Sequence, residues 1–75
     1  MPKLKPVKVE KLIKIVKKLG FEERRQKGSH ISFYHSDGRV LTIPFHSGRE
    51  IPIGLLNKII KHDLKMSREE FLGLL

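Results

Sequence analysis

The sequence contains no cysteine, and none of its apolar stretches approaches the ~20 residues that a membrane-spanning helix needs. Without cysteine there is neither a disulfide framework nor a cysteine-based metal site, so a reducing compartment, the cytoplasm, is the expected location. The segment from Met1 to Val9 has no apolar run long enough for a signal peptide. Histidine, aspartate and glutamate nowhere show the spacing of a zinc or calcium site, and there is no glycine-rich phosphate loop. We therefore expect no metal, no cofactor and no membrane contact.

Acidic residues are in the minority. Eight Asp and Glu stand against sixteen Lys and Arg, which leaves a formal net charge of +8 on 75 residues. A chain of this length is expected to form one small domain, residues 1–75, because it has no room for two cores. The charge favours a polyanionic partner whose binding weakens steeply with salt. Charge alone leaves RNA, DNA, an acidic protein and a merely solvated surface all open.

Apolar periodicity and turn residues predict the order helix, three strands, helix, short helix. Apolar residues recur at helical spacing from Val7 to Leu19, with Pro6 in the first turn and Gly20 closing the helix. Strand patterns follow at about residues 21–26, 29–35 and 40–45, the last two joined by an Asp-Gly turn. A helix with Pro52 in its first turn is expected to bury one face, and the segment 67–70 matches a capping box that opens a short helix. The expected apolar residues of these last helices are Ile53, Leu56, Ile59, Ile60, Phe71, Leu72 and Leu75. Antiparallel hairpins covered on one face by helices give a two-layer α+β fold.

Alternation along the strands assigns side chains to the two faces of the sheet. Ile31 and Phe33 are expected to point into the core, and the other face of that strand carries His30, Ser32 and Tyr34. On the first strand, Arg24 and Gln26 are expected to share a face, with Arg25 pointing the other way. Pro44 cannot donate to a sheet ladder, so it belongs at a strand end or an edge.

His30 is the main candidate for chemistry. An imidazole titrates near neutral pH and can take the proton of a ribose 2'-hydroxyl, so that this oxygen attacks the adjacent phosphate. Such a reaction needs no metal and leaves a 2',3'-cyclic phosphate and a free 5'-hydroxyl. Judged from the residues alone, a strand histidine is more often structural or simply exposed.

The residues around His30 are candidates for binding RNA. Gly28 and Ser29 would shape the turn that presents it, and nearby cations would stabilise the charge that builds up on the phosphate. Tyr34 is interpreted as a stacking platform for an unpaired base, and His46 as a substrate contact from a loop that could approach either end of the sheet. The predicted RNA-binding residues are Arg24, Gln26, Lys27, Gly28, Ser29, Tyr34 and His46. An ordinary turn and solvated side chains remain the alternative. No residue stands out as the general acid.

Four segments in order carry a family resemblance: Arg24 to His30, ending in Gly-Ser-His; the strand pattern 31–34 with Asp37-Gly38; Thr-Ile-Pro at 42–44; and Glu-Ile-Pro-Ile-Gly-Leu at 50–55. Together they resemble the HicA family of toxins, small RNA endonucleases of bacterial and archaeal toxin–antitoxin pairs, from the first helix to about Leu72. The resemblance implies a fold like that of double-stranded-RNA-binding domains (dsRBD-like), cleavage of mRNA with His30 as the catalytic residue, and a HicB-type antitoxin as partner. The chain departs from the family where many members have a second histidine, here Ile31, and in the turn before the last helix, which lacks the usual glycine.

Two other functions remain open at the level of sequence. A non-catalytic module of the same fold would grip duplex RNA with the lysines of the first helix and the turn at Lys27. A protein-interaction domain would use its charge only for solubility. For all three functions the sequence leaves the oligomeric state open, a homodimer included.

Overall fold

The computed structural model describes residues 3–75, so Met1 and Pro2 of the predicted domain lie outside the described residues. The elements are β1 (Val7–Lys8), α1 (Val9–Lys18), β2 (Glu22–Lys27), β3 (His30–Tyr34), β4 (Val40–Pro44), β5 (Glu50–Ile51), α2 (Ile53–Lys58), a π-helical turn (Ile59–Asp63) and α3 (Arg68–Leu72). The predicted helices and strands occur in the predicted order, with β1 and β5 in addition, and the three main strands fall within about a residue of their predicted bounds.

The main sheet is antiparallel, with strand order β2-β3-β4. Ile31 and Phe33 of β3 point into the core, as alternation predicts, and are 6% and 0% exposed. Pro44 is the last residue of β4, an outer strand, so its missing N–H costs no ladder hydrogen bond. β2 is different from its neighbours because all six of its residues are exposed.

The helices cover one face of this sheet and leave the other open, which is the two-layer α+β arrangement consistent with a dsRBD-like fold. The core between the layers is apolar throughout, and no buried residue among 3–75 is polar or charged. The helical layer contributes to it Val9, Leu12, Ile15 and Val16 from α1, Leu56 from α2, Ile59 and Ile60 from the π-helical turn, and Phe71 from α3. His30 and its neighbours on the sheet therefore lie on the open face, away from the core.

The start of the first helix was predicted wrongly. Pro6 does not lie in the first turn, because Val7 and Lys8 form β1, which pairs antiparallel with Ile51 and Glu50 of β5. The helix begins only at Val9, whose N–H donates to the carbonyl oxygen of Arg49 at 3.0 Å. This two-stranded ribbon escaped the sequence because two-residue strands have no periodicity to detect.

Two apolar positions of the last helices also differ from expectation. Ile53 is 44% exposed and Leu75 is 46% exposed, and α3 ends at Leu72. The capping box is confirmed: the Ser67 hydroxyl accepts from the N–H of Glu70, and the Glu70 carboxylate accepts from the N–H of Ser67.

The turn before α3 lacks a glycine but still uses a left-handed residue. Lys65 has φ +54°, the one positive φ of a non-glycine residue within 3–75. This is the conformation that a glycine would adopt with less strain.

Candidate functional site

His30 follows a two-residue turn at the end of the β2–β3 hairpin. Lys27 and His30 are cross-strand partners, with Gly28 and Ser29 between them. Gly28 has φ +60°, which the turn requires and which glycine adopts without strain. The side-chain amide of Gln26 donates to the Gly28 carbonyl oxygen at 3.3 Å and so braces the turn. The expectation that Gly28 shapes the turn presenting His30 agrees with this geometry.

The imidazole of His30 is exposed on the open face, between two cross-strand neighbours. Lys27 lies directly across on β2, and Pro44 lies directly across on β4. Directly opposed residues in an antiparallel pair have Cβ atoms about 4.5–5.5 Å apart, so the Lys27 ammonium can reach a group bound at the imidazole. A base and a cation thus stand side by side at one end of the open face.

A β-bulge in β2 changes which side chains share that face. Glu23 pairs with Phe33 and Arg25 pairs with Ser32, so Arg24 is an extra residue with no partner across the ladder. Arg25 therefore lies on the open face with Ser32.

The prediction that Arg24 and Gln26 share one face of the sheet, with Arg25 on the other, was wrong for the same reason. Gln26 pairs with Ile31, and so belongs to the face that the helices cover. Simple alternation fails wherever a bulge inserts one residue.

Arg24 also contacts the open face. Its guanidinium carbon lies 5.8 Å from the centroid of the Tyr34 ring, within cation–π range, and its Nη2 atom lies 3.7 Å from Oε2 of Glu22. Tyr34 is 38% exposed and is four residues from His30 along β3, about 13 Å by strand rise. The pair offers a planar ring with a neighbouring positive charge at the far end of the open face.

His46 lies at the same end of the sheet as His30. The N–H of Phe45 donates to the Ser29 carbonyl oxygen, which ties the chain leaving β4 to the turn that precedes His30. The sequence left open which end of the sheet the His46 loop approaches. In the structure it lies at the end that carries His30.

The loop that carries His46 is held by the first turn of α1. The N–H of Arg49 donates to the His46 carbonyl oxygen at 3.0 Å, which closes a tight turn. The Glu10 carboxylate accepts from the N–H of Gly48 at 2.9 Å and from the Ser47 hydroxyl at 3.4 Å. The hydrogen bond from the Gly48 N–H is the main cause of a lowered pKa of Glu10. Sequence reasoning missed Glu10, although it is the one acidic residue of α1.

The other two histidines stand apart from this site. The ring of His35 packs edge-on against Phe21, with its Nε2 atom 3.0 Å from the Leu19 carbonyl oxygen and its Nδ1 atom accepting from the N–H of Asp37 at 3.1 Å. Because a carbonyl oxygen only accepts, Nε2 is the donor to Leu19, and His35 joins the β3–β4 hairpin to the end of α1. His62 is exposed on the π-helical turn.

The lysines of α1 form a second basic surface, separate from the open face. Together with the segment before α1 and the C-terminal leucines they line an open groove in the helical layer, to which six lysines contribute: Lys3, Lys5, Lys8, Lys11, Lys14 and Lys18. Because α1 packs on the covered side of the sheet, these lysines and His30 do not share a surface.

Neither a metal-binding cluster nor a helix able to span a membrane is found within residues 3–75. No three His, Asp or Glu side chains in this part of the chain lie close enough together to hold a metal ion. None of its helices is long and apolar enough to cross a membrane.

Comparison with known proteins identifies a family. Residues 9–63 match the model of a protein family described as "HicA toxin of bacterial toxin-antitoxin". No curated protein sequence matches the chain. The family match covers more than half of the 75 residues and includes β2, β3, the turn between them and the His46 loop. The chain therefore belongs to the HicA family of toxins of toxin–antitoxin systems.

Proposed function

We propose that this protein is an endoribonuclease that cleaves mRNA without a metal ion, with His30 as the general base. The observation that carries the proposal is the exposed imidazole of His30 on the open face, directly across the ladder from Lys27. A protein that only held duplex RNA would need the cation but not the imidazole. The cytoplasm, where mRNA is found, is the proposed location.

The reaction is a transesterification followed by release of the two RNA ends. His30 takes the proton of the 2'-hydroxyl, the 2'-oxygen attacks the adjacent phosphorus, and the bond from phosphorus to the 5'-oxygen breaks. Negative charge grows on the non-bridging phosphate oxygens during attack. Lys27, and Arg25 one residue pair further along the same face, supply the nearest positive charges. The Ser29 hydroxyl, in the turn directly before His30, would donate to the same phosphate.

The remaining predicted contacts take different roles in this proposal. Tyr34, which lies four residues from His30 along β3 and has Arg24 beside its ring, would stack an unpaired base of the RNA away from the cleaved bond. Gln26 would act through the turn that it braces rather than by touching phosphate, because it belongs to the covered face.

Membership of a toxin–antitoxin family implies an antitoxin partner. We propose that this partner is a HicB-type protein and that it covers the open face around His30. The net charge of +8 would steer an acidic surface to that face. Blocking the imidazole and Lys27 together would prevent both proton transfer and phosphate binding.

The test is cleavage of an end-labelled, unstructured RNA in excess EDTA. Wild type should cut it and leave cyclic phosphate ends, and His30→Ala should cut it at least about 10²-fold more slowly, the usual contribution of general base catalysis. His62→Ala, which removes another exposed histidine from the helical layer, is the matched control and should cut normally. Binding without cleavage by wild type would refute the nuclease and leave a double-stranded-RNA-binding module, provided that circular dichroism shows all three proteins folded.

A further inference from the structure

We infer that His46 is the proton donor to the leaving 5'-oxygen and that Glu10 is the residue that positions it. This inference rests on the proposed nuclease activity and supplies its missing general acid. It assigns a chemical role to the contact between Glu10 of α1 and the loop that follows β4.

Strand register brings His46 to the reacting centre. His30 and Pro44 are cross-strand partners, and the hydrogen bond from the Phe45 N–H to the Ser29 carbonyl oxygen continues that register by one residue. β4 ends at Pro44, and Phe45 packs partly buried against the core. Continued alternation over these two residues would return His46 to the face of His30, diagonally across from it. Diagonal neighbours have Cα atoms about 7–8 Å apart, a separation at which two imidazoles can each hydrogen bond one oxygen of the same phosphate.

The tyrosine and the other two histidines of the described chain are too far away or already engaged. Tyr34 lies about 13 Å along β3 by strand rise. Both ring nitrogens of His35 are within hydrogen-bond distance of the backbone, at Leu19 and Asp37. His62 belongs to the helical layer. Within residues 3–75, His46 is therefore the one histidine besides His30 that lies at this end of the sheet.

Glu10 fixes the turn from which His46 projects. Its carboxylate oxygen Oε2 holds both the Gly48 N–H and the Ser47 hydroxyl, and the neighbouring Val9 N–H binds the Arg49 carbonyl oxygen. Three successive residues after His46 are thus attached to the start of one helix. An ionised carboxylate is the stronger acceptor for these donors, and its lowered pKa keeps it ionised at neutral pH. A loop without this attachment would leave the imidazole free to swing away.

The proton balance of the step is complete. As the bond from phosphorus to the 5'-oxygen breaks, the His46 imidazolium gives its proton to that oxygen, while His30 has taken one from the 2'-hydroxyl. The products are the cyclic phosphate, the 5'-hydroxyl, neutral His46 and protonated His30. Exchange with water restores both histidines, so no further reactant is required.

A sulfur substitution tests the role of His46. In an RNA whose bridging 5'-oxygen is replaced by sulfur, the leaving group is a thiolate. Because a thiol has a pKa of about 8.5, far below that of an alcohol, this leaving group can depart without being protonated. We expect His46→Ala to cut ordinary RNA about 10²–10⁴-fold more slowly and to cut the sulfur-substituted RNA at nearly the wild-type rate. His30→Ala should be slow on both, because activation of the 2'-hydroxyl is still needed.

The positioning role of Glu10 is tested by asking whether the effect of replacing Glu10 requires His46. Glu10→Ala should slow cleavage of ordinary RNA but not of the sulfur-substituted RNA, and should have no further effect in a His46→Ala background. Glu10→Gln keeps an acceptor oxygen for the Gly48 N–H and should recover most of the rate. Glu69→Gln, an exposed acid on α3, is the matched control and should match wild type.

The outcomes separate this inference from the proposed function. A wild-type protein that cuts neither RNA would refute both. Normal cleavage of ordinary RNA by His46→Ala, with His30→Ala inactive, would overturn the inference and leave the nuclease. A His46→Ala defect that is equal on both RNAs would also overturn it, since it would make His46 a binding contact only.

Discussion

Replacing Gly20 with alanine is expected to destabilise the protein much more than its backbone conformation alone would require. Gly20 has φ +101°, so any side chain there costs about 1–2 kcal/mol of strain. An added Cβ would also lie 2.9 Å from Nε2 of His35, a distance that real Cβ atoms essentially never show. The ring would have to move, which would break its hydrogen bond to the Leu19 carbonyl oxygen and its edge contact with Phe21.

Those two contacts set the size of the excess. The hydrogen bond is worth about 0.5–1.5 kcal/mol and the aromatic contact a similar amount. Gly38 provides the matched control, because its φ of +98° is nearly the same and an added Cβ there meets nothing within 4 Å. Gly38→Ala should therefore show the strain alone, and Gly20→Ala should cost about 1–3 kcal/mol more.

Thermal unfolding followed by circular dichroism measures the difference. For a domain of 60–100 residues, 1 kcal/mol lowers Tm by roughly 4–8 °C, so the two variants should be separated by at least about 4 °C. In a His35→Ala background the two substitutions should become equal. Equal Tm values for Gly20→Ala and Gly38→Ala in the otherwise wild-type protein would refute the reasoning. They would mean that the His35 ring can move aside without weakening its contacts with Leu19 and Phe21.

Three further predictions concern the turn before α3, acid stability and RNA binding. Lys65→Gly should raise the free energy of unfolding by up to about 1 kcal/mol, because it relieves the strain of φ +54°; an unchanged Tm would contradict this. The pKa values of Glu10 and Asp37 are lowered, chiefly by backbone N–H groups of Gly48 and Arg39, so their contribution to stability is present above the ordinary values of 4.5 and 3.8 and is lost as pH falls below them. Urea unfolding between pH 7 and pH 3 should show this loss, and Glu10→Gln should reduce it. Lys27→Ala should weaken RNA binding and lower its salt slope by about 1, whereas Lys61→Ala on the π-helical turn should leave both unchanged.

The order of elements was predictable because its signals are local. Gly20 ends α1, Asp37-Gly38 forms the β3–β4 turn, and Ser67 caps α3, each through atoms within a few residues of its own position. The ribbon of β1 and β5 was not predictable. It depends on Val7 meeting Ile51, more than forty residues away, and neither strand is long enough to show a pattern.

The candidate site also has a part that was predictable from the sequence and a part that was not. Alternation within β3 correctly assigned His30 and Tyr34 to the open face. It failed in β2, because the bulge at Arg24 is a property of the pairing between two strands and not of either sequence. The position of His46 depends on the Phe45 hydrogen bond to Ser29 and on the contacts of Glu10, all of them tertiary. A lone acid in the first turn of an otherwise basic helix was the one signal available.

The two sides of the candidate site differ in how firmly the fold holds them. His30 begins β3, whose Ile31 and Phe33 are anchored in the core. The cations lie on β2, which buries no side chain and whose Glu-Glu-Arg-Arg-Gln-Lys sequence has little intrinsic strand propensity. β2 is therefore a strand because β3 pairs with it, and its charges can vary without disturbing the core. In the proposed nuclease, this arrangement would keep the imidazole in a fixed position while the basic surface beside it adapts to different RNA backbones or to an antitoxin.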